Sequence, residues 1–352
     1  MSSPETITTQ NLPTGLSPGQ RAWLRFRSNR RGYISLWIFG VLFFLCFFAE
    51  VLSNDKPLVV SYEGQLYFPV FIAYPETTFG GDFETEADYT DVFVRKQLTR
   101  NNNWMIEPPI PYSYNTINFV SDLPNPAPPS SQNLLGTDDR GRDVLARVIY
   151  GFRISVWFAL ALMVIGVAIG IVAGAIQGYF SGKTDLIMQR VIEVWSSMPE
   201  LYLLIIFASI FQPSIWLLII LLSLFGWMGL SDYVRAEFLR GRNLDYVRSA
   251  RAMGLTNFTI MSRHLLPNSL TPVITFLPFR ISGAILALTS LDFLGLGVPP
   301  TTPSLGELLS QGKENIEAWW LSLSAFIVLV GTLMLLIFIG EALREALDTR
   351  KQ

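Results

Sequence analysis

"ISVWFALALMVIGVAIGIVAGAIQG", residues 154–178, runs for twenty-five positions without one charged side chain. Hydrocarbon offers no partner to an unpaired peptide group, so about 20 mostly apolar residues in an α-helix are what crosses a bilayer. The stretch predicts a spanning helix. Working outward, similar runs near 33–52, 189–211, 214–233, 270–291 and 320–340 bring the expected crossings to six. The composition agrees, with 50% hydrophobic and only 15% charged residues, against the roughly 25% charged that soluble domains carry. A single cysteine, Cys46, cannot form an internal disulfide, and one histidine beside it leaves no zinc site of soft ligands. The near-neutral charge balance gives no nucleic-acid footprint.

Lysine and arginine resist translocation and mark the cytoplasmic side. Arg21, Arg25, Arg27, Arg30 and Arg31 precede the first run, which predicts a cytoplasmic segment 1–32 and an uncleaved anchor at 33–52. Six crossings return the tail 341–352, with Arg344, Arg350 and Lys351, to the same side. Residues 53–135 are then external, and their acidic excess fits. Within them "SYEGQLYFPVFIAY" (61–74) suggests a hairpin around Glu63 and Gly64, and the prolines of "LPNPAPPSSQN" (123–133) an extended strap. The expected whole is a small periplasmic insert followed by a five-helix core, 136–340, with an inner loop at 234–269.

Several stretches invite a chemical reading. "GYFSGKT" (178–184) has three residues between its glycines, where a phosphate-binding loop has four, and it follows a membrane helix. It reads as a cytoplasmic turn, so any ATP is bound by another chain. Gly166, Gly170, Gly174 and Gly178 recur every four residues and share one helix face, fit for close packing within the bundle or against another subunit. Arg190 and Glu193 are spaced to pair, as a structural ion pair or a proton relay, and Pro199 predicts a kink. "GTDDRGRDVLARVIYGFRIS" (136–155) reads as a helix on the outer membrane surface, capped by Thr137 or Asp138.

The segment "YVRSARAMGLTNFTIMSRHLLPN" (246–268) lies inside by this topology and carries three arginines and the only histidine. Gly254 interrupts a first helix; Thr256 caps a second in which Phe258, Met261 and Leu265 recur at helical spacing, and Pro267 leads into the next crossing. A short amphipathic helix between two spans suits a groove on a soluble partner or, through Arg251 and Arg263, anionic lipid.

Its spacing resembles the E-A-A-x3-G-x9-I-x-L-P loop of ABC importer permeases. Arg248, Ser249 and Ala250 stand at E-A-A, Gly254 at the glycine, His264 at the isoleucine, and Leu266 and Pro267 at L-P. "LGTDDRGRDVLARVIYGFRIS", "LTSLDFLGLGVPPTTPSLGELL" and "IGEALREALD" resemble the dipeptide and oligopeptide branch, although Leu305 stands where that branch often has tryptophan. "RFRSNRRGYISLWIF" and "SNDKPL" resemble its Yej-type members, associated with oligopeptides and the peptide-nucleotide microcin C. The resemblance implies an all-α membrane protein of the type I ABC importer permease fold, six transmembrane helices with a small periplasmic insert between helices 1 and 2, in a bacterial inner membrane. It implies no enzyme and no cofactor in this chain, with ATP and Mg bound by a cytoplasmic ATP-binding partner, separate or fused. A second homologous permease, a periplasmic peptide-binding protein and lipid complete the expected partners. The coupling residues carried over are Ala250, Gly254, Phe258, Met261, Arg263, His264, Leu266 and Pro267. An ion-coupled transporter using Glu193, Arg190 or Asp232, or a sensor with a ligand-binding insert, are the competing readings.

Overall fold

The computed structural model describes residues 17–100, 103–118 and 123–348. Arg350, Lys351 and the first sixteen residues of the expected cytoplasmic segment lie outside them. Five helical stretches among the described residues are long and apolar enough to cross a membrane, or six if a bent pair is one span.

Helix α1 (Pro18–Ser28) carries Arg21, Arg25 and Arg27 and begins with a capping box, Ser17 and Gln20 each accepting from the other's amide. Asn29 ends it and caps α2 (Arg30–Phe47), accepting from the Gly32 amide at 3.2 Å. Phe48 interrupts the expected first span, and α3 (Ala49–Leu52) is a separate turn. A small unit follows, in which β1 (Val59–Tyr62), β2 (Gln65–Tyr67) and β3 (Trp104–Ile106) form an antiparallel sheet of order β2-β1-β3. Glu63 and Gly64 both take positive φ in the β1–β2 turn, the twist a two-residue hairpin needs. Helix α4 (Val92–Leu98) helps close a core of Val60, Phe79, Tyr89, Val94 and Leu98. The expected all-α class therefore holds outside this sheet.

The long helices are α5 (Val144–Phe180), the pair α6 (Gly182–Ser196) and α7 (Glu200–Ile210), α8 (Ile215–Gly226) with α9 (Met228–Gly241), and the short α10 (Asp245–Ala252). Then come α11 (Asn257–Thr259), a π-helical segment Ile260–Leu265, α12 (Leu266–Phe293), α13 (Leu305–Glu314) and α14 (Trp319–Leu347). The third crossing is more than kinked: α6 and α7 meet at 64°, and Pro199 stands at the cap of α7. Arg190 and Glu193 do pair, at 2.5 Å, but on an exposed face where such a pair is worth at most about 1 kcal/mol.

The segment 136–155 is not a helix lying on the membrane. Its helical part is the start of α5 itself, and the cap is Asp143, which accepts from the Ala146 amide at 2.8 Å, rather than Thr137 or Asp138. Burial raises the Asp143 carboxyl above the usual aspartate range, although the Asn133 amide and the Ala146 N–H draw it back. Asp138 is released for another task. Fully buried, it accepts from the Arg142 amide and Nε at 2.9 and 2.7 Å and faces Arg147 Nε at 3.5 Å, itself 0% exposed. Both guanidiniums then donate to the Pro300 carbonyl, and Arg147 also reaches the carbonyls of Thr302 and Tyr114. One charged knot thus joins α5, the strap after α12 and the chain leading out of the small unit. Tyr150 adds a hydrogen bond to the Ser53 carbonyl at 2.9 Å.

The other end of the bundle is held by α1 against α14. Phe26 is buried with Ile339, Ala342 and Ala346, and Gly32 lies so close to Ala342 that a side chain there would collide. Asn29 donates to Glu345 at 2.9 Å, which explains why the terminal "IGEALREALD" is more than a polar tail.

Removing one member of a buried ion cluster strands the others without solvent, at about 3–5 kcal/mol. Asp138→Ala is expected to lower the thermal unfolding midpoint in detergent strongly, whereas Arg190→Ala leaves it within the error of the same measurement.

Candidate coupling interface

Helices α5 and α9 run in close contact, and the four spaced glycines lie along their seam. A Cβ on Gly170 would stand 3.0 Å from Leu230 Cβ and from the Trp227 carbonyl, and one on Gly174 2.8 Å from Val234 Cβ. One on Gly178 would press on Phe238 Cβ at 2.5 Å, and Gly166 faces Arg280 and the Gly226 carbonyl. The small residues thus serve packing inside this chain. Polar side chains staple the same seam: Gln177 donates to Ser231 at 3.0 Å, and Gln189 of α6 to Gln177 at 2.8 Å and to Asp232 at 3.3 Å. Arg235 grips Asp185 through two hydrogen bonds of 2.5 and 2.7 Å.

At the end of this seam the chain turns through α10. The expected inner loop 234–269 is mostly helix, because α9 continues to Gly241 and α11 runs without a break into α12. The helix after Gly254 is therefore not a separate amphipathic piece but the first turns of a single rod, Asn257–Phe293. The π segment makes this possible: the Leu266 amide reaches back to the Met261 carbonyl, a five-residue step, in the turn that receives Pro267 with its missing amide.

Gly254 has φ +82° and closes α10. The Leu255 amide bonds the Ala250 carbonyl at 3.2 Å and the Gly254 amide that of Arg251 at 3.0 Å, the pairing that satisfies helix-end carbonyls through a left-handed residue. No atom would touch a Cβ at Gly254, so the demand for glycine comes from the backbone alone. Thr256 caps the next helix through the Thr259 amide at 3.3 Å.

The carried-over residues divide by burial. Ala250, 1% exposed, is packed with Val247 against Val234, Phe238, Ile260 and Leu265, so it holds α10 down and presents no surface to a partner. Met261 and Leu266 lean on the same core, and Leu265 is inside it. The stripe Phe258–Met261–Leu265 is consequently not one docking face. Phe258 alone of the three projects, 79% exposed, over an apolar cleft with Ile171, Val172 and Ile176 of α5. Arg263 and Pro267 are exposed, and His264 is half-buried with its carbonyl accepting from Asn268 at 3.4 Å. The apolar tip is formed instead by Tyr246, Met253 and Leu255, with Met253 73% exposed.

Tyr179 is the residue that pattern reading passed over. Its hydroxyl donates to Asn257 at 2.7 Å, its carbonyl accepts from Arg242 at 2.9 Å, and Arg251 stands 5.6 Å from its ring centroid. It joins α5 to both sides of the α10 turn. The signal was an aromatic flanked by glycine at the polar end of an apolar helix, inside the string tested for a phosphate loop.

Comparison with known proteins places names beside this geometry. Residues 166–352 match the family described as binding-protein-dependent transport system inner membrane component, and residues 17–68 match the N-terminal TM domain of oligopeptide transport permease C. The Escherichia coli inner membrane ABC transporter permease protein YejE is 53% identical, over 96% of this chain and 98% of that protein. The Agrobacterium fabrum peptidoglycan transport system permease protein YejE is 49% identical, over 99% and 97%. The Haemophilus influenzae oligopeptide transport system permease protein OppC is 36% identical, over 69% and 77%. Among solved structures, the inward-facing MetNI methionine ABC transporter aligns with 58% of this chain and 97% of that chain, at a TM-score of 0.49 and 16% identity.

Overpacking a tight helix seam costs about 1–3 kcal/mol or more. Gly174→Leu is expected to reduce the yield of monodisperse protein in detergent, while Gly254→Ala, whose only cost is a left-handed alanine of about 1–2 kcal/mol, leaves it nearly unchanged.

Proposed function

Since the chain belongs to the family of binding-protein-dependent transport system inner membrane components, we propose that it forms one half of the translocation path of an ATP-driven peptide importer. It is a permease subunit, and the proposal assigns it no bond-making chemistry. A cytoplasmic ABC protein binds ATP and Mg, a second homologous permease supplies the other half of the path, and a periplasmic peptide-binding protein delivers cargo. Both termini and α10 then face the cytoplasm of an inner-membrane protein, and the sheet unit within 53–135 faces the periplasm. Cargo is peptide in a wide sense: the names of relatives speak of peptidoglycan, oligopeptide and dipeptide transport, and the peptide-nucleotide microcin C belongs to the same chemical class.

One observation carries the reading. The exposed tip Tyr246, Met253 and Leu255 sits on a turn that is packed on α5 and α9 and leads directly into the single helix Asn257–Phe293. An apolar tip of that kind fits a groove on a soluble partner. Closure of the ATP-binding domains moves the groove, the turn follows, and the rod carries the displacement into the bundle. The shift is driven only to the extent that the partner binds one state more tightly than the other.

The test is reconstitution of the purified assembly in vesicles, with uptake of alanine peptides of two to six residues and ATP hydrolysis followed together. Uptake that needs ATP supports the proposal; uptake driven by an ion gradient without any ATPase overturns it. Within that assay Met253→Asp is expected to abolish peptide-stimulated ATP hydrolysis, because a carboxylate would lose its water in an apolar groove, while basal folding and insertion persist. Stimulation equal to that of the unmodified protein would show that the tip does not meet the ATPase.

A further inference from the structure

The break between α6 and α7 opens a cavity of about 540 Å³ against the middle of α12, a size within the range of small-molecule sites. Its wall carries Ser196 and Glu200 from the break, Gly226 and Met228 from the α8–α9 junction, and Arg280 and Gly283 from α12. The two ionic side chains in this wall make no ion pair with each other or with any other described residue. Arg280 donates through Nη2 to the Gly226 carbonyl at the end of α8, and its Nε is buried without a hydrogen-bond partner. Room for the guanidinium comes from Gly166, whose absent Cβ would stand 3.0 Å from Arg280 Nη2. Glu200 opens the first turn of α7, and its carboxylate makes no hydrogen bond among the described residues.

An ionisable side chain held at membrane depth is costly unless it meets an opposite charge, water or a ligand. A structural arginine would be expected to satisfy its whole donor fork within the protein. This one spends a single donor on a helix end and leaves its enclosed Nε unpaired, in the wall of a cavity that Glu200 also lines. Guanidinium is suited to a carboxylate and a carboxylate to an ammonium group, so the wall has the two halves of a zwitterion receptor.

We propose that the cavity is a cargo subsite, in which Arg280 takes the terminal carboxylate and Glu200 the terminal ammonium group of a short peptide in transit. This inference rests on the peptide-importer reading above. It assigns the α6–α7 break a purpose: the interruption makes space at mid-bundle and brings Glu200 to it, which a straight crossing would not.

The experiment is uptake into vesicles holding the complete assembly, with trialanine, trialanine amide and N-acetyl-trialanine as cargo. The unmodified protein is expected to import trialanine about tenfold or more faster than either capped peptide, the loss expected for one charge-assisted hydrogen bond. Arg280→Gln, which keeps a donor for Gly226, is expected to import trialanine as slowly as its amide while still rejecting the acetylated peptide, and Arg280→Lys to retain part of the preference. Glu200→Gln is expected to do the converse. Variants that slow all three cargoes by one common factor, with the preferences intact, overturn the proposal and leave Arg280 a helix-end brace; so does an unmodified protein that treats the three alike. Lack of uptake of any alanine peptide would instead remove the importer reading, and the inference with it.

Discussion

The bundle depends on how near α5 can come to α9. Lipid tails are as apolar as leucine, so two membrane helices gain little by hiding side chains from them; what holds the helices is contact density and the polar groups they share. Four glycines give α5 a groove into which Leu230, Val234 and Phe238 settle, and the same approach brings Gln177 within reach of Ser231 and Gln189 within reach of Asp232. A side chain in that groove would separate the helices and break the polar staples together. Everything at the α10 end is assembled on this seam, since Tyr179, Phe238 and Val234 form the floor on which Val247 and Ala250 rest.

The two ends of the molecule are held by different physics. At the end of the small sheet unit, a desolvated carboxylate organises two arginines and through them three stretches of backbone. A network of that type gains nothing from partial formation, because each unmatched charge is left in a low-dielectric interior. Asp292 extends the same style of bonding to the far end of α12, where its carboxylate accepts from Ser304 and from the Val298 amide. At the α10 end the contacts are apolar packing, one ring–cation contact, single hydrogen bonds and the Arg235–Asp185 pair, and the exposed surface mixes apolar Met253 and Leu255 with Arg248, Arg251 and Arg263.

Much of this was legible in the sequence, and the failures have causes. Uncharged length announces a crossing, and a four-residue glycine period announces a close face, because both are local properties of a helix. The Glu63–Gly64 hairpin and the Gly254 break were readable for the same reason, as positive-φ turns leave their mark on residue choice. What could not be read was continuity. Pro267 looked like the start of a new helix because a regular α-turn has no place for its missing amide, whereas a π step accommodates it. Phe258, Met261 and Leu265 look like one stripe at 3.6 residues per turn, and the wider π turn rotates the last two toward the core. Asp138 reads locally as a cap of a surface helix because nothing in its own stretch says that Arg142 and Arg147 will meet it in the interior beside a strap about 150 residues away.

The rod Asn257–Phe293 spans roughly 55 Å at 1.5 Å per residue. Its far terminus is cemented by Asp292 to the strap that the arginines hold, and its near terminus is tied to Tyr179 through Asn257 and to the core beneath α10 through Ile260 and Leu265. Such a member transmits displacement as a lever, together with whatever α10 carries. A tilt of about 5° about the Asp292 end would carry the α10 end through about 5 Å over that length, and Arg280, about a third of the way along from the Asp292 end, through about a third as much. Distance from the pivot along one continuous helix is thus enough to turn a coarse stroke at the α10 end into a finer displacement beside Arg280.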